Sequence, residues 1–205
     1  MKIHDISMVI KPSMTVYKNK PSKMPELRQS ATFASNGVYE TDIAMNLHTG
    51  THIDFPLHTL EAGKNSTGHP IETFLGTAKV FDLTAVKDCV DVKDLDILDI
   101  EKNDFILLKT RNSLREDFDF DFVYVNLSAA RYLVEKGIRG VGIDSLGIER
   151  NQPNHPTHDT LLKAGIIILE GLRLKDIQPK TYQFICLPLK IDDVEALPVR
   201  SILIE

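Results

Sequence analysis

Tryptophan is absent from the 205 residues, cysteine occurs only twice, and no apolar run approaches the roughly 20 residues that a membrane-spanning helix needs. Each absence excludes something. Cys89 and Cys186 lie far apart and belong to no metal-ligand spacing, which reads as free thiols in a reducing cytoplasm rather than a disulfide framework. The N-terminal Met1-Lys2-Ile3-His4-Asp5 lacks the apolar core of a signal peptide. A net charge of −5, with both signs interspersed, gives no electrostatic footprint for nucleic acid or an anionic membrane. No Gly-x-Ser-x-Gly element is present to seat a serine nucleophile, and neither cysteine has a histidine near it in sequence. The expectation is a cytoplasmic protein with one domain over residues 1–205, long enough for one sizeable core.

What the chain does have is concentrated in eleven residues, His48-Thr49-Gly50-Thr51-His52-Ile53-Asp54-Phe55-Pro56-Leu57-His58. Three of the seven histidines and a carboxylate stand here at even spacing. Imidazole and carboxylate together suit zinc, manganese or iron(II). Residues 37–48 alternate in polarity, which predicts a half-buried strand with His48 on its polar face. Were that strand straight, His48 and His52 would lie about 13 Å apart at about 3.3 Å per residue. One ion cannot reach both, so the chain must bend, and Gly50 tolerates the dihedrals of such a bend. His52 and Asp54, as alternate residues, share a face. Pro56 stiffens the exit, and His58 sits further out. A loop cluster that binds stray ions without chemistry is the other reading of this segment.

A second cluster lies about a hundred residues on. Thr157 to Gly165 predicts a short helix, with Thr157 as N-cap and Gly165 beyond its end. Ile166-Ile167-Ile168-Leu169 predicts a strand buried on both faces, ending in Glu170. A carboxylate there needs a cation. A metal ion would serve, with His158 as co-ligand, and so would Arg173.

These residues together resemble the cyclase family of metal-dependent hydrolases, which includes bacterial kynurenine formamidases (arylformamidases) and isatin hydrolases. The resemblance rests on His48, Gly50, Thr51, His52, Asp54, Pro56, His58, His158 and Glu170. Asp5-Ile6-Ser7, Leu108-Lys109-Thr110 and Gly142-Ile143-Asp144 extend it over nearly the whole chain. It implies a two-metal site, most often two zinc ions per subunit, with manganese in the isatin-hydrolase-like members. His48, His52 and Asp54 would hold one ion, and Asp54 would bridge to a second held by His158 and Glu170. His58 matches the catalytic histidine. The implied reaction is hydrolysis of an amide C–N bond by a metal-bound hydroxide, His58 acting as general base and then acid. A homodimer or homotetramer is implied as well.

Two departures bear on the substrate. Asp144 is followed by Ser145-Leu146-Gly147, where the family often has a serine three residues after the aspartate; Asp144 and Ser145 stand as substrate candidates. The N-terminal tryptophan of kynurenine formamidases is missing, and Tyr17 is its candidate replacement. Lys11, Lys18 and Lys20 nearby point to a polar or anionic substrate, or to a solvated loop. Ring opening of a cyclic amide and a non-catalytic, metal-stabilised binding protein are the alternatives.

For the remainder, strands are expected at Ile3–Ile10, Ala78–Leu83, Phe105–Lys109, Ile138–Ile143, Tyr182–Leu189 and Arg200–Ile204. A helix runs from a Ser128 cap to Lys136 with Gly137 as its stop, and an amphipathic helical turn falls within 86–104. Glu61–Gly68 reads as a flexible loop of the kind that can form a lid. A strand-rich first half and an alternating second half predict an α/β protein with a mixed sheet and helices on one side. The resemblance implies the layered β/β/α form of that arrangement.

Overall fold

In the computed structural model, which describes residues 1–205, the chain forms twelve strands and four α-helices. The first half holds β1 (Ile3–Asp5), β2 (Glu26–Ala31), α1 (Phe33–Asn36), β3 (Glu40–Ala44), β4 (His52–Asp54), β5 (Leu75–Asp82), β6 (Cys89–Val90) and α2 (Val92–Leu95). The second half holds β7 (Phe105–Lys109), β8 (Tyr124–Val125), α3 (Leu127–Lys136), β9 (Gly140–Ile143), α4 (Pro156–Lys163), β10 (Ile167–Glu170), β11 (Thr181–Pro188) and β12 (Ala196–Ile204).

Eight strands form one mixed sheet in the order β1-β12-β11-β5-β7-β9-β10-β4. Strands β5, β7, β9 and β10 are parallel neighbours, and the remaining pairs are antiparallel. The short β4 bonds to β10 on one side and to the start of β12 on the other, so the sheet closes on itself. Closure explains two separate cores. Inward-facing Ile53, Phe105, Leu107, Leu169, Phe184 and Leu197 fill the closed sheet. Outward-facing Ile106, Leu108, Val141, Ile143 and Ile168 pack beneath α3 and α4, against Ala129, Leu133 and Leu161. Strands with an apolar residue at both parities, such as β7 and β10, are those buried on both faces. The result is the layered β/β/α arrangement.

Several local expectations are corrected. The stretch predicted as a half-buried strand up to His48 pairs only over Glu40–Ala44, in a two-stranded hairpin with β2, and all five of its residues are exposed. Its alternation has no core to face. Asn126, rather than Ser128, caps α3 by accepting from the Ala129 amide, because the helix begins at Leu127. His155 occupies the N-cap position of α4 and Pro156 its first turn, leaving Thr157 inside the helix; its hydroxyl donates to the Val125 carbonyl instead. Gly165, at φ +75°, ends that helix as expected. The first strand is shorter than predicted and stops at Asp5. The Glu61–Gly68 loop is fastened rather than free: Asn65 donates to Asp193, and the Ser66 hydroxyl to the Ile191 carbonyl.

No helix is long and apolar enough to cross a membrane.

Candidate metal centre

The site is built on β4 and β10. Because β4 alternates, Ile53 points into the closed sheet while His52 and Asp54 point outward, towards the helices. The antiparallel register sets Glu170 directly opposite His52. Helix α4, packed over the outer face, brings His158 down from above. Pro56 starts a short 3-10 turn that ends at His58.

Gly50 makes the bend that spacing demanded. Its φ is +77°, and a Cβ there would lie 2.8 Å from Ile10 Cδ1. Gly171, immediately after Glu170, packs against it so closely that a Cβ would stand 2.5 Å from the Gly50 carbonyl oxygen. The Thr51 hydroxyl bridges the two segments, donating to the Gly171 carbonyl at 2.7 Å and accepting from the Met8 amide at 2.8 Å. The His48 and His52 ring centres consequently lie 5.0 Å apart.

The side chains then converge on Asp54. His52 Nδ1 donates to the Gly50 carbonyl at 2.9 Å, which fixes the ring and turns Nε2 towards the carboxylates. That Nε2 lies 3.4 Å from Asp54 Oδ1 and 3.4 Å from Glu170 Oε2. His48 Nδ1 lies 3.0 Å from the same Asp54 Oδ1. On the other side, His158 Nε2 is 3.6 Å from Asp54 Oδ2 and 3.4 Å from Glu170 Oε1. His52 Nε2 and both Asp54 oxygens are buried without a hydrogen-bond partner. Three unmatched buried polar atoms aimed at one point would be strongly destabilising by themselves.

Their spacing explains them. Two ligands at about 2.0–2.1 Å from a tetrahedral ion stand about 3.3 Å from each other, and most of these separations are near that value rather than the shorter hydrogen-bond distance. The residues present therefore fit a divalent cation. Asp54 Oδ1 stands near His48 and His52 and Oδ2 near His158, while Glu170 approaches both His52 and His158. Potential ligand atoms of His48, Asp54 and His58 also lie within 4.8 Å of one another, as do those of His52, Asp54 and Glu170.

Electrostatics carry the same mark. Burial opposes charging of His52, but Asp54 and Glu170 outweigh it and push its pKa up to about 10. His158 is driven up in the same way by Asp54, Glu149 and Glu170. Burial and the Asp54 charge would raise Glu170, yet His158 and His52 bring it down to about 2. His58 is the exception: burial, with the His48 and His158 charges, lowers it to about 4. It is the one histidine of the cluster with a resolved shift towards the neutral form, and its ring lies 4.2 Å from that of His48 and 5.4 Å from that of His158.

Two further acidic residues of the site carry no signal of that role in the sequence. Glu149 Oε2 accepts from the Thr157 and His158 amides at 2.8 and 3.1 Å, holding the N-terminus of α4, and also lies 3.3 Å from His158 Nδ1. It both caps the helix and orients the imidazole that the helix delivers. Glu195 Oε1, just before β12, stands 3.3 Å from His48 Nε2. Only their polarity was visible beforehand; both act across folds of the chain. Arg173, the alternative partner of Glu170, does not pair with it. Glu170 faces the histidines and accepts from the Ile148 amide at 2.5 Å.

A cavity of about 290 Å³ opens over the cluster, lined by His48, His58, His158 and Glu170 on its floor. Tyr17 lines its wall, packed edge-on against Phe118. His155 also lines it, with a largely exposed side chain 3.2 Å from Glu149 Oε1. Asp144 and Ser145 do not. Asp144 turns inward and accepts from the Thr110 and Ser113 amides and hydroxyls and from Asn112, while the Ser145 hydroxyl donates to the Gly147 carbonyl. Their geometry is that of a tether between loops. Cys186 is buried, and burial lifts its thiol to about 12, so it offers no nucleophile.

Residues 4–150 match the family "Putative cyclase". The chain is 30% identical to a kynurenine formamidase of Salinibacter ruber over 99% of its length and 97% of that protein's. Among solved structures, a potential metal-dependent hydrolase with cyclase activity is 47% identical and superposes with a TM-score of 0.92, covering 98% of this chain and 96% of the other. Isatin hydrolase A of Labrenzia aggregata shares the fold at 24% identity, with a TM-score of 0.86 over 98% of this chain and 93% of its own.

Proposed function

The chain belongs to the cyclase family, and from its site we propose that it is a metal-dependent hydrolase of an amide C–N bond, arylformamidase-like in its chemistry. The observation that carries this reading is the set of buried, unpartnered donor atoms around Asp54, spaced for a divalent cation and open to a cavity on one side. A closed shell would serve structure alone; an open side admits a substrate.

His48, His52, Asp54, His158 and Glu170 are the residues that would hold metal, with Asp54 shared between two ions. Zinc is the ion we assign, with manganese as the alternative. When bound, such ions activate water and polarise a carbonyl. The protein's own groups supply the rest. Glu149 keeps the His158 ring turned towards Asp54. The Gly50 carbonyl holds the His52 Nδ1 proton, so Nε2 is available to a cation. His58, neutral at physiological pH because of its burial and the neighbouring histidines, is fit to take a proton from the attacking water and return it to the leaving nitrogen. The mostly polar side chains that line the cavity would orient a substrate above it. A cytoplasmic homodimer or homotetramer completes the proposal, supported by Leu27, Phe33, Tyr39 and Ile43, which the β2–β3 hairpin leaves exposed.

The test joins metal analysis of the purified protein to a hydrolysis screen of N-formyl aromatic amines, cyclic imides and simple esters. His58→Ala is expected to keep the wild-type metal content and lose about 10²–10⁴-fold in turnover. Loss of metal from that variant would make His58 a ligand. Two bound metals with no turnover on any class would make the protein a binding protein.

A further inference from the structure

One wall of the cavity carries Lys18, Lys20 and Lys23. None of the three forms an ion pair with a carboxylate, and all three line the one cavity. The sole hydrogen bond of the Lys23 ammonium is to Asn46 Oδ1 at 3.5 Å. The segment that presents them is conformationally costly: Lys18 and Asn19, consecutive and neither of them glycine, both sit in the left-handed region at φ 55° and 51°. That turn folds the chain back so that Tyr17, Lys18 and Lys20 all face one space, with the Lys18 ammonium 5.3 Å and the Lys23 ammonium 5.9 Å from the centre of the Tyr17 ring. Of the residues lining the cavity, only Tyr17 and Leu146 are apolar.

Charge balance sharpens the point. Asp54, Glu149, Glu170 and Glu195 bring four negative charges to the cluster, which two divalent ions would cancel. The three lysine charges then remain uncompensated beside the reacting centre. Lys23 is half-buried, and burial lowers its pKa, so it would gain most from an anion. Lys11, the other lysine of the N-terminal stretch, lines a separate cavity with Ser13 and Arg173.

Resting on the hydrolase reading, we propose that this lysine wall is the specificity element of the site: it recognises a carboxylate carried by the substrate beside the scissile amide. Anionic N-acyl compounds are then hydrolysed in preference to neutral ones of the same shape. For N-formylanthranilate the step balances simply. Water adds its oxygen to the formyl carbon, the C–N bond breaks, one of its protons goes to nitrogen and the other is released to solvent, leaving formate and anthranilate.

The test compares kcat/KM for N-formylanthranilate and its neutral isostere N-formylanthranilamide, with the metal-loaded wild type and the Lys18→Gln/Lys20→Gln/Lys23→Gln variant. The expected result is a preference for the anion of about tenfold or more, the scale of a charge-assisted contact, that shrinks with added salt and falls to near one in the triple variant. Lys11→Gln keeps it. Calorimetric binding of anthranilate against anthranilamide provides a readout independent of turnover, with the same expected preference and the same loss. A ratio near one in the wild type, or one that survives the triple substitution, overturns the proposal. Should neither formyl compound react, the arylformamidase reading fails, and the lysine wall is still decided by the binding ratio. If the triple variant does not fold, Lys18→Gln and Lys20→Gln, both on exposed loop positions, are each expected to reduce the ratio, and no reduction in either counts against the proposal.

Discussion

Asp54 and Asp144 are both aspartates, both almost wholly buried, and both stand at the end of a strand of the same sheet, yet their oxygens meet opposite surroundings. Asp144 accepts hydrogen bonds from Thr110, Asn112 and Ser113, so its whole acceptor capacity is spent on tying loops together. Asp54 has no hydrogen bond and is ringed by imidazole nitrogens at 3.0–3.6 Å. Burial raises the Asp144 pKa even against its donors, whereas the histidines carry Asp54 well below the carboxylate range despite burial. A carboxylate already satisfied within the protein is part of the scaffold. One that is buried, charged and unsatisfied is waiting for a cation.

Substitution should separate the two most sharply. Asp54→Asn is expected to lose metal by more than the ~100-fold that an outer partner of a ligand is worth, and to lose turnover with it. Asp144→Asn is expected to keep metal binding but to unfold more easily, by about 3 kcal/mol, since an amide nitrogen would face donors in a buried network. Metal analysis and thermal unfolding of both variants check the pair. If Asp144→Asn loses metal at unchanged stability, the contrast collapses.

A smaller effect falls on Glu149, which shares features of both aspartates: it is bonded to backbone like Asp144 yet stands beside His158 of the cluster. Glu149→Gln keeps an acceptor for the α4 amides but weakens its hold on His158. The expected cost is about 10–100-fold in metal affinity with little change in stability, measured by competition with a chelator.

The mildest probe is pH. In the metal-free protein His52 is raised from 6.5 to about 10, so at neutral pH it holds a proton that a cation must displace. Uptake should release protons, and affinity should rise as pH climbs from about 6 to 8. Calorimetry in buffers of different ionisation enthalpy measures the release directly; no proton release would contradict it. On folding the same shift acts in the opposite direction: the contribution of His52 to metal-free stability is complete below about 6.5 and is lost as pH rises through about 10.

Much of this site was legible in the sequence because its chemistry is carried by local spacing. The bend at Gly50 follows from the distance between His48 and His52, and Glu170 was conspicuous as a carboxylate closing an apolar strand. Asp144 shows where such reading stops. A carboxylate after a β-strand looks the same whether it meets a substrate or three loop donors, and only the path of residues 110–113 decides. Glu149 and Glu195 escaped notice for the same reason: one acts through a helix that begins seven residues later, the other across the closure of the sheet. The exposed β3 misled through its alternation, which normally reports a half-buried face but here belongs to a hairpin paired only with β2.

The proposed metal centre places Asp54 between two divalent ions. Anomalous diffraction at the zinc edge, from crystals grown with zinc, tests it most directly. Peaks are expected about 2.0–2.2 Å from the Asp54 oxygens, with His52 Nε2 on one side and His158 Nε2 on the other. A site without a peak beside Asp54, or with zinc held only elsewhere on the protein, would contradict it.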